Sequence, residues 1–454
     1  MGGSFVRVLG RKDVLALAFG AMVGWSWVIL TGEWIQTAGP LGAIAAFLGG
    51  GVAIGLIGLT YGELAAAMPY AGGEHVYSLR ALGPTASFVC TWAIVLGYGS
   101  VVAFEAVALP TVAEYAIPGF SAGYLWRVAG WDVYASWVAV GVAGALVMTI
   151  VNVIGVRPAA VLQTSVTLLL LAGGALLLLG ASIHGSAPAG SPLPNGLTGV
   201  LNVLIMVPFL FVGFDVIPQS AEEVALPQRE IGRMLILSVG LAVAWYALVI
   251  VGVAASLDAE ALDSSKLATA DAAARAWGRS EAAWVVVLAG AAGIITSWNA
   301  FLVGGSRAVY ALARAGMLPR ALGRLHPRFH TPHNAVILIG ALSCLAPLFG
   351  RRALVWLVDA GGLGIVLAYV MVALSFLVLR RREPGMPRPF RVRHGRLVGT
   401  AALLLSLGLG TLYLPGSPVA LAWPSEWAIV LGWTLLGAVL FAWARRSGAG
   451  TEAD

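Results

Sequence analysis

The chain is predicted to be an all-α polytopic membrane protein, and three observations carry that reading. Of 454 residues, 59% are hydrophobic and only 11% charged, with a mean hydropathy of +0.89, far from a water-soluble domain. Apolar stretches able to form a spanning helix of roughly 20 residues recur about twelve times. Segments such as "TLLLLAGGALLLLG" (167–180) are apolar on every face, whereas a barrel strand alternates apolar and polar residues over roughly ten positions.

In chain order the expected spans lie near 13–36, 40–62, 84–114, 134–155, 158–182, 197–221, 233–256, 282–310, 335–349, 353–379, 397–414 and 425–444. The short, basic Met1–Lys12 leads into the first of them without a small-residue cleavage site, so no cleaved signal peptide is expected. Cys90 and Cys344 both fall within expected spans, where they are expected to pack as small apolar residues.

The net charge of +6 reports topology rather than a nucleic-acid partner. With twelve spans and the N-terminus inside, the cytoplasmic side receives Arg7, Arg11, Lys12, Arg80, Arg157, Arg229, Arg233, the arginines from Arg314 to Arg328, the run Arg380–Arg396 and Arg445–Arg446. The outer side receives only Arg127, Lys266, Arg275, Arg279, Arg351 and Arg352. That asymmetry follows the positive-inside rule and places both termini in the cytoplasm, on a multi-pass protein of the cell membrane.

The longest polar segments are 257–281 outside and 311–334 and 380–396 inside, so no separate extramembrane domain is expected. "MPYAGGEHVYSLRALGP" (68–84) reads as a short helix against the cytoplasmic face. Small residues spaced four apart (Gly20–Gly24, Gly51–Gly55, Gly58–Gly62) allow close helix approach.

Two spans are interrupted in matching places. "GAMVGWSWVILTGEW" (20–34) breaks around Gly24-Trp25-Ser26, and "PFLFVGFDVIPQSAEE" (208–223) is punctuated by Pro208, Gly213 and Pro218. Paired interrupted helices at the start of two five-helix units point to a transporter's binding site.

Four stretches resemble the amino acid–polyamine–organocation (APC) superfamily. They are "GAMVGWSWVI", "YGELAAAMPYAGGEHVYSLRALGP" (61–84), "NVIGVRPAAVLQTSVT" (152–167) and "SRAVYALARAGMLPRALGRLHPRFHTPHNAV" (306–336). The resemblance implies a LeuT-type fold of two inverted five-helix repeats plus two C-terminal helices. Their bounds would be 1–195, 196–395 and 396–454. It also implies alternating access and a small-molecule solute that is an amino acid, polyamine or related amine.

An interrupted helix exposes backbone groups that must be satisfied. At the first break the free N–H groups suit a carboxylate, and the resemblance makes Gly24, Trp25 and Ser26 carboxylate-binding backbone. Trp25 and Trp27 depart from the family's small or aliphatic residues; either they wall the pocket, where indole faces attract ammonium groups, or they pack on helices or lipid. By the same alignment Phe209 and Phe301 fall at aromatic gate positions, while Phe211 and Phe214 flank Gly213 and Asp215. Asp215, Glu105 and Glu33 lie in apolar surroundings, where acids usually serve a function. Asp215 could bind an ammonium, carry a proton or cap the half-helix. Thr296 and Ser297, with first-helix carbonyls near Val23, could ligate Na⁺ through hard oxygens, or their hydroxyls could bond their own helix. H⁺ coupling and simple exchange are the alternatives to Na⁺. The lysine that some family members carry on the fifth helix is replaced by Leu170.

An enzyme would need a constellation such as HExxH or GxSxG, and neither is present. A channel would need a filter of repeated carbonyls or charge rings. A polyamine exchanger, or a sensor that binds an amino acid without moving it, remains the alternative on this fold.

Overall fold

The computed structural model describes residues 4–185, 193–265, 267–417 and 420–446. Lys266, expected on the outer side, lies outside these residues. Among the described residues nine helices are long and apolar enough to cross a membrane, and Gly196–Leu210 and Gly395–Thr411 are shorter apolar ones.

The first span opens with Arg11–Val23, breaks at Gly24-Trp25, and resumes as Ser26–Ile29 and the start of Thr31–Ala67. That last helix is really two. Gly39 takes φ 72°, and Pro40, which lacks an N–H, starts the second span from it. The third to fifth spans are Pro84–Ala116, Ala135–Ile154 and Val156–His184. The sixth span is Gly196–Leu210 followed, after its break, by the single turn Val216–Gln219. Gln228–Ser256, Ser280–Arg314, His333–Leu345, Gly350–Arg382, Gly395–Thr411 and Ser425–Arg446 complete the set. Twelve passes return the chain to the face it left, so Arg11 and Arg446 share one face, termed here the terminal face.

The second span packs against the broken sixth and the seventh, and the third against the eighth and the tenth. The twelfth span touches little but the tenth and third, and its outer side (Leu431, Leu435, Val439) is exposed apolar surface of the kind lipid covers.

Two features, a helical 257–281 stretch and a β-hairpin, depart from the expected helices and loops, while the short helix expected within 68–84 is present. The polar stretch 257–281 is mostly helical: Ala259–Ser264 and Ala268–Trp277 fold back onto the bundle, and Thr269 Oγ1 donates to the Trp27 carbonyl at 2.8 Å. Its alanine-rich sequence supplies a small buried face (Ala268, Ala272, Ala276). The short helix Glu74–Leu82 occupies the corresponding place, after the second span instead of the seventh, on the other face. An antiparallel hairpin, Tyr124–Val128 with Trp131–Tyr134, stands between the third and fourth spans. Its strands carry aromatic and β-branched residues that suit a pleated surface.

Candidate functional site

The two breaks meet. Gly24 sits at φ 49°, ψ −141°, and Gly213 at φ 129°, conformations open to glycine and strained for other residues. A Cβ on Gly213 would lie 2.4 Å from Ala21 Cβ, so the sixth-span break presses directly on the first span. On the eighth span, Gly290 makes room for the Trp25 ring, and Gly293 for the Gly24 carbonyl.

The broken backbone is satisfied unevenly. After the break, the first backbone hydrogen bond of the new helix runs from Val28 N to Trp25 O at 3.1 Å. The N–H groups of Trp25, Ser26 and Trp27 precede it and have no partner within that helix. The carbonyls before the break are capped by Tyr246 of the seventh span, whose hydroxyl donates to Met22 O at 2.8 Å and Val23 O at 3.3 Å. Ser26 Oγ donates to Val23 O and lies 2.8 Å from the Tyr246 oxygen. Its hydroxyl is therefore engaged with the protein.

A cavity of about 570 Å³ opens beside this break. Val23, Gly24, Trp25, Ser26, Glu105, Phe209, Ser297 and Phe301 line it, so the structure brings these eight together. Trp27, Phe211, Gly213, Phe214, Asp215 and Thr296 are not on its wall. Trp27 is buried edge-on against Trp245 at 5.3 Å, so of the two readings of this indole the geometry shows core packing. Phe211 packs on Phe47 and Tyr246, and Phe214 stacks on Tyr369. Asp215 Oδ1 accepts from Gly213 N at 2.9 Å, a bond inside the break, and makes no cap hydrogen bond to the half-helix Val216–Gln219 that follows it. Glu33 is exposed, away from the cavity.

The adjacent hydroxyls Thr296 and Ser297 part company. Thr296 donates to Gly20 O and Gly293 O, whereas Ser297 faces the cavity beside Glu105. Behind Thr296, Gln163 donates to Ala16 O and accepts from Asn299, which itself accepts from Asn152. This buried amide chain ties the first, fourth, fifth and eighth spans together. Leu170 is fully buried.

The cavity is rich in acid. Glu105 is 5% exposed with Oε2 unpartnered. Farther out, Asp359 of the tenth span faces Glu426 of the twelfth on the same wall, with Tyr413 near them and Arg351 at the rim. The sequence reading passed over this pair. Asp359, in "VWLVDAGG", could have been found by the rule that singled out Glu105; that the twelfth span lines a solute cavity could not.

Toward the terminal face the path is shut. Arg307 and Glu223, each 1% exposed, pair at 2.7 Å. Val8 and Leu9 donate to Glu223 O, and Ala225 N returns a bond to Leu9 O. The lining residues Arg351, Tyr413 and Glu426 belong to span ends on the opposite face.

A bundle interrupted at its first and sixth spans, with a solute-sized cavity between the breaks and one face sealed, is the build of a membrane transport protein. The chain belongs to the amino acid permease family, whose family model matches residues 9–440. It is similar to the branched-chain amino acid permease BcaP of Bacillus subtilis, 26% identical over 89% of this chain and 88% of that protein. Cationic amino acid transporter 4 of Mus musculus is 29% identical over 85% of this chain and 62% of the longer mouse protein. An uncharacterized transporter of Mycobacterium tuberculosis is 30% identical over 89% of this chain and 87% of its own length.

Proposed function

We propose that this permease moves an amino acid or related amine carrying a positive charge, by alternating access between its two faces. The observation that carries the substrate class is the cavity wall, where among the described residues Glu105, Asp359 and Glu426 stand against one cation, Arg351. The break supplies the complementary end. Its free N–H groups at Trp25–Trp27 suit a carboxylate, so a solute with a carboxylate at one end and an ammonium or guanidinium at the other matches both. A diamine would satisfy the acids and leave the break unused.

The sealed Arg307–Glu223 side and the cavity reaching the opposite face support an outward-facing arrangement, with the terminal face cytoplasmic as the arginine distribution requires. The short helices after the second and seventh spans, on opposite faces, support two inverted repeats at 1–195 and 196–395 with 396–454 as an accessory pair. Glu426 makes that pair part of the cavity in this reading.

Uptake into proteoliposomes of the purified protein tests the proposal, with labelled lysine, arginine, leucine and putrescine supplied in turn. Lysine or arginine uptake outcompeting leucine and putrescine supports it. Leucine uptake undisturbed by excess lysine sinks the cationic reading, and tight binding without movement sinks transport.

A further inference from the structure

Six side chains near the sealed face form a buried polar cluster with unmet hydrogen-bonding capacity. The hydroxyls of Tyr61, Tyr98 and Tyr369, Glu74 Oε1, Asp215 Oδ2 and Gln219 Oε1 are all buried without a well-formed hydrogen bond, with Tyr61 lying close to Glu74 and Tyr98 close to Asp215. They face one another. Tyr61 and Tyr369 each lie within electrostatic reach of both Glu74 and Asp215, and Tyr98 faces Asp215 and Glu74 likewise. The Tyr61 and Tyr369 rings touch at 5.9 Å, and Gln219 donates its amide to Glu74 Oε2. Buried polar atoms are almost always paired, so a group of unpaired ones marks a place where water or an ion belongs.

The charge of the cluster narrows the choice. Glu74 lies within electrostatic reach of Asp215, and among the described residues no arginine or lysine is paired with either. The nearby buried guanidinium of Arg307 is bound to Glu223, and Arg380 is bound to Glu63. The groups packed around Glu74 are Tyr61 of the second span, Cys90 and Tyr98 of the third, Asp215 of the sixth, Tyr369 of the tenth, and Tyr77 and His75 of its own helix. His75 is held by Ser87, 2.9 Å from Nδ1, and burial keeps its ring neutral. Two carboxylates cannot both stay ionised in such a place without a cation. Burial, and after it the charge of Asp215, hold the Glu74 carboxyl well above the usual carboxylate range.

We propose that Glu74 and Asp215 share the proton that drives transport, with the tyrosine hydroxyls relaying it between them. The proposal rests on the transport reading above. Asp215 stands at the sixth-span break; Glu74 stands in the short helix toward the terminal face. Tyr61 would accept the proton of a protonated Glu74 on its oxygen and release its own to the Asp215 carboxylate, ending neutral and reset once its hydroxyl turns. A relay needs groups that both donate and accept, which hydroxyls do; a bound metal cation would need acceptors only.

The test is Glu74→Gln in proteoliposomes, read by two assays with labelled lysine. One is net uptake driven by an imposed pH gradient, with a sodium gradient as a separate arm. The other is counterflow against unlabelled lysine, which requires no net proton movement. The expected result is a loss of at least roughly tenfold in pH-driven uptake with counterflow kept within about twofold. Glu74→Asp should restore much of the pH-driven rate, and Tyr61→Phe, which removes one oxygen, should slow it while sparing counterflow. Unchanged pH-driven uptake in Glu74→Gln, uptake driven by sodium alone in the wild type, or loss of both assays in Glu74→Gln and Tyr61→Phe alike would each overturn the proposal. Wild-type protein that moves lysine, leucine and putrescine in neither assay would overturn the transport reading, and this one with it.

Discussion

Gly293 of the eighth span lies directly against the carbonyl of Gly24, so close that a Cβ at position 293 would stand 1.8 Å from that oxygen. The first-span break is therefore held from behind by the absence of a side chain. Gly293→Ala would push the Gly24 peptide toward the cavity. The expected outcome is protein that inserts and folds but loses at least roughly tenfold in solute affinity, checked by binding to purified protein alongside a thermal melt. Full-strength binding would show that the break does not need this support.

Glu105 offers a second check. A hydrogen bond to a charged partner is worth about 1.5–3 kcal/mol, roughly a ten- to hundredfold change in affinity. Glu105→Gln should raise KM for lysine or arginine within that range and leave leucine within about threefold. Equal losses for charged and neutral solutes would mean that the residue shapes the cavity without reading charge.

The sealed face rests on a buried ion pair. Arg307→Met leaves Glu223 without its cation, and breaking such a pair costs about 3–5 kcal/mol. A thermal melt should show marked destabilisation of this variant. The double change Arg307→Met with Glu223→Leu should recover most of the loss, because no buried charge is then stranded. Should the double variant melt no higher than the single one, the clamp of Val8 and Leu9 on the Glu223 backbone would depend on the pair itself.

His75 gives a pH signature. Burial lowers its pKa from the ordinary 6.5 to about 4. The unfolded chain takes up this proton first as pH falls, so the folded state loses stability between about pH 6.5 and 4 and is unaffected above that window. Melting temperature should drop across it, and the drop should be shallower in His75→Gln. An identical slope in both proteins would assign the pH dependence to other groups.

Much of this molecule was legible in the order of its residues. Composition, span length and arginine distribution define a helical membrane protein, because the bilayer imposes its length and polarity on each span independently of the others. The breaks were legible for a similar reason: glycine at Gly24 and Gly213, proline at Pro208 and Pro218, and an acid at Asp215 are local departures from a continuous helix. Which way each side chain turns was not. Trp25 and Trp27 stand two residues apart in one motif, yet one faces the cavity and the other packs on Trp245, because an α-helix turns about 100° per residue and the neighbouring helices decide which side is inside. Tyr246, Asp359 and Glu426 come from spans with no interruption to mark them, and they reach the break or the cavity only through the packing of helices distant in sequence. The elements are therefore local properties of the chain. The site is a property of their assembly, since the contacts that build it join residues more than 200 positions apart, as between Tyr246 and Met22.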